Sequence, residues 1–220
     1  MHENSYGLAV FWLQGDIVIK VVAMLLLLMS IVSWYVIITR AWQAVKLRAS
    51  AKVMGEFWHA HSFEEGISIL KSHDQQSPFS ALALGGQAAV EHHTQSKNDL
   101  HGQLSLAEWL TESLRGDIDE SSERMQAGLP ILASVGSTAP FIGLFGTVWG
   151  IYHALVSIGA SGQASIDKVA GPVGEALIMT AFGLAVAIPA VLGYNTLMRT
   201  NKTIINKMRR FARQLHAYFL

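Results

Sequence analysis

Three long stretches of the chain are almost free of charged residues. Residues 21–39 and 125–165 contain no Asp, Glu, Lys or Arg, and residues 169–198 contain only Glu175. An apolar helix of about 20 residues crosses the roughly 30 Å hydrocarbon core of a bilayer. The pattern therefore predicts three transmembrane helices, one in each stretch. The second stretch is longer than one crossing requires, so its helix is expected in the most apolar part.

The residues between the first two stretches have the period of amphipathic helices. Apolar side chains recur at spacings of three, four or seven at Leu106, Leu110, Leu114, Ile118, Met125, Leu129 and Leu132. We therefore expect one helix from about residue 104 to residue 157, with a kink available at Gly128 and Pro130. Helix breakers are predicted at Ser77-Pro78, at Gly85-Gly86 and at Asn98.

The basic residues predict an orientation in the membrane. Fourteen of the 16 Lys and Arg residues lie between the first two stretches or after the third, and only Lys20 and Lys168 remain for the other side. Lys and Arg concentrate in the cytoplasmic segments of membrane proteins. The N-terminus is therefore expected outside, and the long loop and the C-terminus are expected in the cytoplasm.

These patterns predict an all-α integral membrane protein with three transmembrane helices and a large helical cytoplasmic loop, the second helix extending into the cytoplasm. The expected order is an external interfacial segment (1–16), transmembrane helix 1 (17–39), a cytoplasmic helical domain (40–127), transmembrane helix 2 (128–158), an external loop (159–168), transmembrane helix 3 (169–198) and a cytoplasmic tail (199–220). Glu3 and Asp16, rather than a basic run, precede the first apolar stretch, so a retained anchor is expected instead of a cleaved signal peptide.

The composition narrows the functional classes. Hydrophobic residues make up 51% of the chain, charged residues 15%, and the mean hydropathy is +0.33, which does not fit a soluble globule. Sixteen basic residues balance 16 acidic ones, so the net charge does not suggest a nucleic-acid partner. The absence of Cys excludes disulfides, thiolate metal sites and Cys nucleophiles.

Small residues in the second and third apolar stretches follow a heptad pattern. Gly136, Gly143, Gly150 and Ser157 recur every seven positions, and Pro140, Thr147 and Ala154 recur between them. Ala176, Thr180, Gly183, Ala187 and Ala190 follow at spacings of four and three. Because small residues allow helices to approach closely in lipid, Gly136, Gly143, Gly150 and Gly183 are predicted helix-packing positions in a multi-helix assembly.

Polar groups inside the apolar stretches are candidates for an ion pathway. Glu175 lies about six residues inside the third stretch, where an ionised carboxylate is costly unless it faces water or a partner. Thr147 and Thr180 lie on the two small faces and are candidate pore-lining residues. The alternatives are that Glu175 binds subunits together and that the threonines only bond to carbonyls in their own helices.

Enzyme motifs are missing from the sequence. His59 and His61, and His92, His93 and His101, have no HExxH arrangement, and the glycines between 143 and 150 lack the Lys of a phosphate-binding loop. We therefore predict no enzyme activity, no cofactor, no catalytic residue and no metal site.

Two segments carry a resemblance to a known family. GSTAPFIGLFGTVWGI at 136–151 and GPVGEALIMTAFGLAVAIPA at 171–190 resemble the MotA/TolQ/ExbB proton-channel family, most closely its ExbB branch. The MotA branch, with four membrane segments, is less similar. The resemblance implies that Glu175, Thr147 and Thr180 are polar residues of the proton pathway.

The resemblance also implies partners and a location. In the family, a pentamer in the bacterial inner membrane encloses the helices of an ExbD-like single-span partner and converts the proton motive force into work on TonB, with the N-terminus periplasmic. That work energises outer-membrane import of siderophore iron, haem or cobalamin. Membrane lipid is a further expected partner and nucleic acid is not. The alternatives are a TolQ-like subunit of the envelope-integrity motor and a passive membrane scaffold.

Overall fold

Six helices make up most of the structure, a computed structural model that describes residues 16–74, 77–95, 104–161 and 166–220. They are α1 (Ile17–Phe57), α2 (Phe63–His73), α3 (Pro78–Gln95), α4 (Leu106–Gln126), α5 (Leu129–Ser161) and α6 (Ile166–Phe219). The described residues contain no strand. Three helical stretches, in α1, in Leu106–Ala160 and in α6, are long and apolar enough to cross a membrane. The predicted all-α membrane fold is therefore confirmed.

Two of the membrane-capable helices are much longer than one crossing requires. Helix α1 has 41 residues and α6 has 54, which correspond to roughly 60 Å and 80 Å at 1.5 Å per residue. Both are apolar in their first part and carry Lys and Arg in their second part. Each helix therefore contributes to both of the compact units into which the chain divides.

The first unit contains the described residues up to Ile38 together with Gly128–Asn195. Many of its exposed side chains are large and apolar, as at Leu27, Phe141 and Leu192. Small residues such as Ala139 and Ala190 are completely buried instead. Leu132 and Met179 are completely buried as well. Large apolar side chains on the surface and small residues at the buried helix contacts are typical of a helix bundle surrounded by lipid.

The second unit comprises the described residues of Thr39–Ala127 and Thr196–Leu220, and it encloses an apolar core. Leu70, Phe79, Leu82, Leu110, Leu114, Met208, Phe211 and Leu215 are almost inaccessible to solvent and come from α2, α3, α4 and α6. Phe57, Trp58 and Phe211 add edge-to-face ring contacts. The Lys, Arg, Asp and Glu residues of these helices lie mainly on their exposed faces.

Local capping explains where two helices of this unit begin. The Ser62 side chain accepts a hydrogen bond from the backbone N–H of Glu65 at the start of α2. Ser105 and Glu108 form a reciprocal capping box at the start of α4. Such caps satisfy backbone N–H groups that have no partner in the first turn.

The prediction of one continuous helix from 104 to 157 is wrong. Helix α4 ends at Gln126, α5 begins at Leu129, and between them Gly128 has a φ of 83°. This left-handed conformation is easily adopted only by glycine, and it ends the hydrogen-bond pattern of α4. Pro130, which lacks an N–H, then fits in the first turn of the new helix.

The predicted break at Gly85-Gly86 is also wrong, since both glycines lie inside α3. A Cβ on Gly86 would come within 3.2 Å of the Phe219 ring, and one on Gly85 would collide with the Asp117 carboxylate. Close packing against α4 and α6, rather than a turn, therefore accounts for this pair. The predicted break at Ser77-Pro78 coincides with the start of α3. Asn98, residues 1–15 and residues 162–165 lie outside the described residues.

Candidate functional site

The backbones of α5 and α6 touch where Gly143 faces Gly183. A Cβ on Gly143 would lie 2.6 Å from the carbonyl oxygen of Met179 and 3.0 Å from the Cα of Gly183. A Cβ on Gly183 would lie 2.6 Å from the carbonyl oxygen of Ala139. These distances are shorter than van der Waals contact, so no residue with a side chain fits at either position without separating the helices.

The other predicted packing glycines lie along the same contact. A Cβ on Gly136 would meet Val191 at 2.5 Å, and one on Gly150 would meet Ala176 at 2.8 Å. Because positions 136, 143 and 150 on α5 meet 191, 183 and 176 on α6, the two helices run antiparallel. The small face predicted on α5 is therefore the face that α6 covers.

Two further glycines position α1, and the sequence analysis did not single them out. A Cβ on Gly146 would lie 3.1 Å from Val22, and one on Gly193 would lie 2.7 Å from Ile37. Gly146 follows Gly143 by three residues and so lies outside the heptad series. The sequence carried no repeating small-residue pattern that would have indicated it, since the positions seven residues away are Ala139 and His153.

The structure brings Thr147 and Thr180 together across the α5–α6 contact. Their hydroxyl oxygens are 2.6 Å apart, and the Thr147 oxygen is also 3.0 Å from the Ala176 carbonyl and 3.2 Å from the Gly143 carbonyl. Thr147 is buried and Thr180 is partly exposed. The two hydroxyls thus connect a buried pair of carbonyl groups to the surface of the bundle.

This arrangement allows two states of hydrogen bonding. A hydroxyl has one proton and can also accept. When Thr147 donates to a carbonyl, Thr180 can donate to Thr147, which leaves its own oxygen free to accept a bond from outside. When Thr147 donates to Thr180, the proton of Thr180 is free to be donated outward. The pair can therefore present either an acceptor or a donor at the partly exposed position, with no change of backbone.

Glu175 lies in α6 immediately before Ala176, whose carbonyl oxygen is close to the Thr147 hydroxyl. The side chain of Glu175 is outside the described part of the structure. In an ideal helix, Glu175 and Thr180 are separated by about 7.5 Å along the axis and about 140° around it. Both residues therefore belong to the same stretch of α6, but they need not share one face.

A second polar contact lies at the start of α1. The indole N–H of Trp149 donates to the carboxylate of Asp16 at 2.7 Å, and the other oxygen of that carboxylate accepts from the backbone N–H of Ile17 at 2.6 Å. The Trp149 hydrogen bond is the main cause of a lowered pKa at Asp16, and the hydrogen bond from the backbone of Ile17 adds to it. Asp16 therefore connects the first turn of α1 to α5.

The histidines considered as metal ligands have other roles. His59 bonds through Nδ1 to the carbonyl of Gly55 at 2.8 Å, His93 bonds through Nε2 to the carbonyl of Leu104, and His92 stacks on Trp109. In the ranges that the structure describes, no three His, Cys, Asp or Glu residues form a group suited to a metal ion. His101 lies outside those ranges.

These observations define a class of protein. It is a helical membrane protein whose apolar helices meet at a close glycine contact and enclose a buried pair of hydroxyl groups. Residues 86–210 match the sequence profile of the MotA/TolQ/ExbB proton channel family. The chain belongs to this family. The resemblance inferred from the two motifs is therefore confirmed, and the family is one of proton channels and transport components rather than an enzyme family.

Individual relatives cover most of the chain. It is 44% identical to the biopolymer transport protein ExbB of Xanthomonas campestris over 93% of this chain and 83% of that protein. It is 42% identical to ExbB of Neisseria meningitidis over 94% of each chain. It is 32% identical to the Tol-Pal system protein TolQ of Pseudomonas aeruginosa over 93% of this chain and 88% of that protein. The chain is thus an ExbB-like member of the family, and TolQ is the more distant match of the three.

Proposed function

We propose that this chain is the ExbB-like subunit of an inner-membrane motor that uses the proton motive force to energise TonB-dependent import through the outer membrane. Its cargo would be siderophore iron, haem or cobalamin. Family membership and the 42–44% identity to two ExbB proteins support the proposal. The asymmetry of Lys and Arg supports a periplasmic N-terminus and a cytoplasmic C-terminus.

The Thr147–Thr180 hydroxyl pair is the observation that carries the proposed proton pathway. The glycine contact leaves no room for water between α5 and α6, so a pathway between these helices is excluded near Gly143. Protons instead pass along the side of α6 on which Thr180 is partly exposed. There the hydroxyl pair binds water or the carboxyl group of an ExbD-like partner, and Glu175 supplies a second group that can carry a proton.

This pathway requires a pore that a single copy does not enclose. We therefore propose a homopentamer around the transmembrane helices of the ExbD-like partner, with a TonB-like protein receiving the work and lipid around the assembly. The exposed apolar side chains of the first unit, such as Phe141 and Leu192, support burial against lipid or neighbouring copies. The proposed segment boundaries are those expected from the sequence.

A TolQ-like role is the second candidate, favoured only by the 32% identity to TolQ. The two roles differ in partner. Expression of this chain in cells that lack both ExbB and TolQ distinguishes them, because an ExbB-like subunit restores iron-siderophore uptake and a TolQ-like subunit restores resistance to detergent. The chain should be co-expressed with the partner of ExbB in one experiment and with the partner of TolQ in the other.

Two variants test the pathway in cells that depend on this chain. Glu175→Gln preserves the size of the side chain but removes its charge, and Thr147→Val/Thr180→Val preserves volume but removes both hydroxyls. We expect both variants to assemble and to lose most of the protonophore-sensitive uptake. The matched control is Thr138→Val in α5, since Thr138 is exposed and its hydroxyl donates to the carbonyl of Ser134 in its own helix.

The outcomes separate a motor from a passive scaffold. Wild-type uptake by Glu175→Gln and by the double Thr variant would overturn the proposed pathway. Loss of the oligomer in the double variant, with Thr138→Val intact, would instead mean that the hydroxyls serve packing. The passive-scaffold alternative further requires that the wild-type complex carry no proton flux in liposomes with an imposed pH gradient.

A further inference from the structure

Two stripes of opposite charge lie on the second unit. The acidic stripe on α4 consists of Glu108, Glu112 and Glu123. The basic stripe at the end of α6 consists of Lys202, Arg209, Arg213 and His216. The spacings are four and eleven in the first and seven, four and three in the second, so each stripe lies along one side of its helix.

Both stripes face away from the core of their own chain. On α4 the buried side chains are Leu110, Leu114, Ile118 and Met125, and on this part of α6 they are Ile204, Met208, Phe211, Ala212 and Leu215. All stripe members except the partly buried His216 are exposed. The charges are therefore presented outward along the full length of the domain.

A groove of about 670 Å³ adjoins the basic stripe. Arg115, Arg209, Arg213 and His216 line it, and Asp119 contributes one carboxylate to the lining. The buried side chains Leu114, Ile118 and Ala212 form an apolar floor. A groove lined by three guanidinium groups fits a side of a helix that carries carboxylates.

The charges of the two stripes do not neutralise one another within the chain. The ion pairs found in the described ranges are Lys46–Asp74 and Arg124–Glu120, and neither involves a stripe residue. Within the stripes, Glu108 accepts from Ser105, and His216 bonds to the carbonyl of Ala107. The carboxylates of Glu112 and Glu123 and the guanidinium groups of Arg209 and Arg213 thus remain available to another molecule.

We propose that neighbouring copies of this chain pair through these stripes, the acidic stripe of one copy docking in the basic groove of the next. The inference rests on the oligomer of the proposed function and names its cytoplasmic contact. All copies share one orientation in the membrane, so a neighbour related by rotation about the membrane normal presents its acidic stripe at the height of the groove. Such a head-to-tail contact uses two different surfaces and closes into a ring.

A second copy fits better than an unrelated acidic protein. Binding of an acidic partner in the groove would leave the acidic stripe on the same domain without a counter-charge. Pairing of copies neutralises both stripes with one interface. Exposed ion pairs are individually weak and are screened by salt, so this contact sets which surfaces meet, while the apolar membrane helices contribute most of the association.

Cysteine cross-linking tests which surfaces meet, and the native chain has no Cys to interfere. Gly116 lies beside the acidic stripe on α4, and a Cβ there meets nothing within 4 Å. Asn206 is exposed beside the basic stripe. Gly116→Cys/Asn206→Cys, oxidised in native membranes, should give a ladder of disulfide-linked oligomers. The two single variants with different tags, expressed together, should give only mixed dimers.

The outcomes distinguish this inference from the proposed assembly. Intact oligomers by native gel without any ladder or mixed dimer would overturn the stripe pairing and leave the oligomer standing. Dimers from either single variant alone would overturn it in favour of a two-fold contact. Monomers alone, in the native gel and after oxidation, would overturn the proposed oligomer and the stripe pairing together.

Charge reversal with rescue provides an independent test. Arg209→Glu/Arg213→Glu should reduce the ladder about tenfold, since weak attractions are replaced by repulsions, and Glu112→Arg/Glu123→Arg should do the same. All four changes in one chain should restore the ladder. The controls Arg210→Glu and Glu56→Arg alter exposed charges outside the stripes and should have no effect. Failure of the fourfold variant to recover, with both controls intact, would overturn the pairing.

Discussion

Substitution of Gly143 by Ala is the sharpest test of the contact between α5 and α6. The added Cβ would lie 2.6 Å from the carbonyl oxygen of Met179, whereas carbon and oxygen atoms normally approach to about 3.3 Å. The helices must therefore separate by about 0.7 Å, because both sides of the contact are backbone. Overpacking of this kind typically costs about 1–3 kcal/mol.

The displacement should also weaken the hydroxyl pair one turn away. The Thr147 oxygen is 3.0 Å from the Ala176 carbonyl, and a further 0.7 Å would exceed hydrogen-bond distance. We therefore expect Gly143→Ala to lower the free energy of unfolding by about 1–3 kcal/mol and to reduce uptake as well. The measurements are reversible denaturation in detergent micelles and protonophore-sensitive uptake in cells.

Gly159→Ala is the matched control in the same helix. A Cβ at Gly159 meets nothing within 4 Å, so the change should be neutral or stabilising by up to about 1 kcal/mol from helix propensity. Gly143→Ala/Gly183→Ala should cost less than the sum of the two single changes, because both act on one contact. Equal stability of Gly143→Ala and Gly159→Ala would refute the close approach on which the site depends.

Three further predictions concern other parts of the chain. Burial raises the pKa of Asp117 in the folded protein. At a pH between the ordinary pKa and this raised pKa, the folded form therefore binds more protons than the unfolded form. The free energy of unfolding should fall as the pH rises through this range. Asp117→Asn should remove this dependence in thermal unfolding at a series of pH values, and an unchanged slope would contradict it. Trp149→Phe should raise the pKa of Asp16, measured by NMR, and should speed hydrogen exchange in the first turn of α1, whereas unchanged exchange would contradict the link to α5. Cys introduced at Ala160 should react with an impermeant thiol reagent from outside, and Cys at Thr203 only after the membrane is opened. Reversed labelling would overturn the proposed orientation.

Much of the fold could be predicted because its main signals are local. Transfer of a helix into lipid depends on the hydropathy of about 20 consecutive residues, so three stretches almost free of charge were sufficient to predict three membrane-capable helices. The heptad of small residues likewise indicated which side of α5 packs closely. The GTVWG and GPVGEA segments carried the family resemblance without any knowledge of the structure.

Backbone conformation at the glycines was harder to predict. Gly128 and the pair Gly85-Gly86 look alike in the sequence as interruptions of helical patterns. Gly128 has a positive φ and separates two helices, whereas the pair continues α3 because Asp117 and Phe219 occupy the space of a side chain. The distinction depends on neighbours that are distant along the chain.

The sequence by itself determined the apolar segments, the distribution of charge and the family, since each of these is a property of consecutive residues and their order. Only the tertiary structure decided which residues meet. Thr147 and Thr180 are separated by 33 positions, and Asp16 and Trp149 by 133, yet each pair forms a hydrogen bond. Such pairings follow from the register in which helices pack, and that register is decided by backbone contacts such as Gly143 on Gly183, which no local pattern specifies.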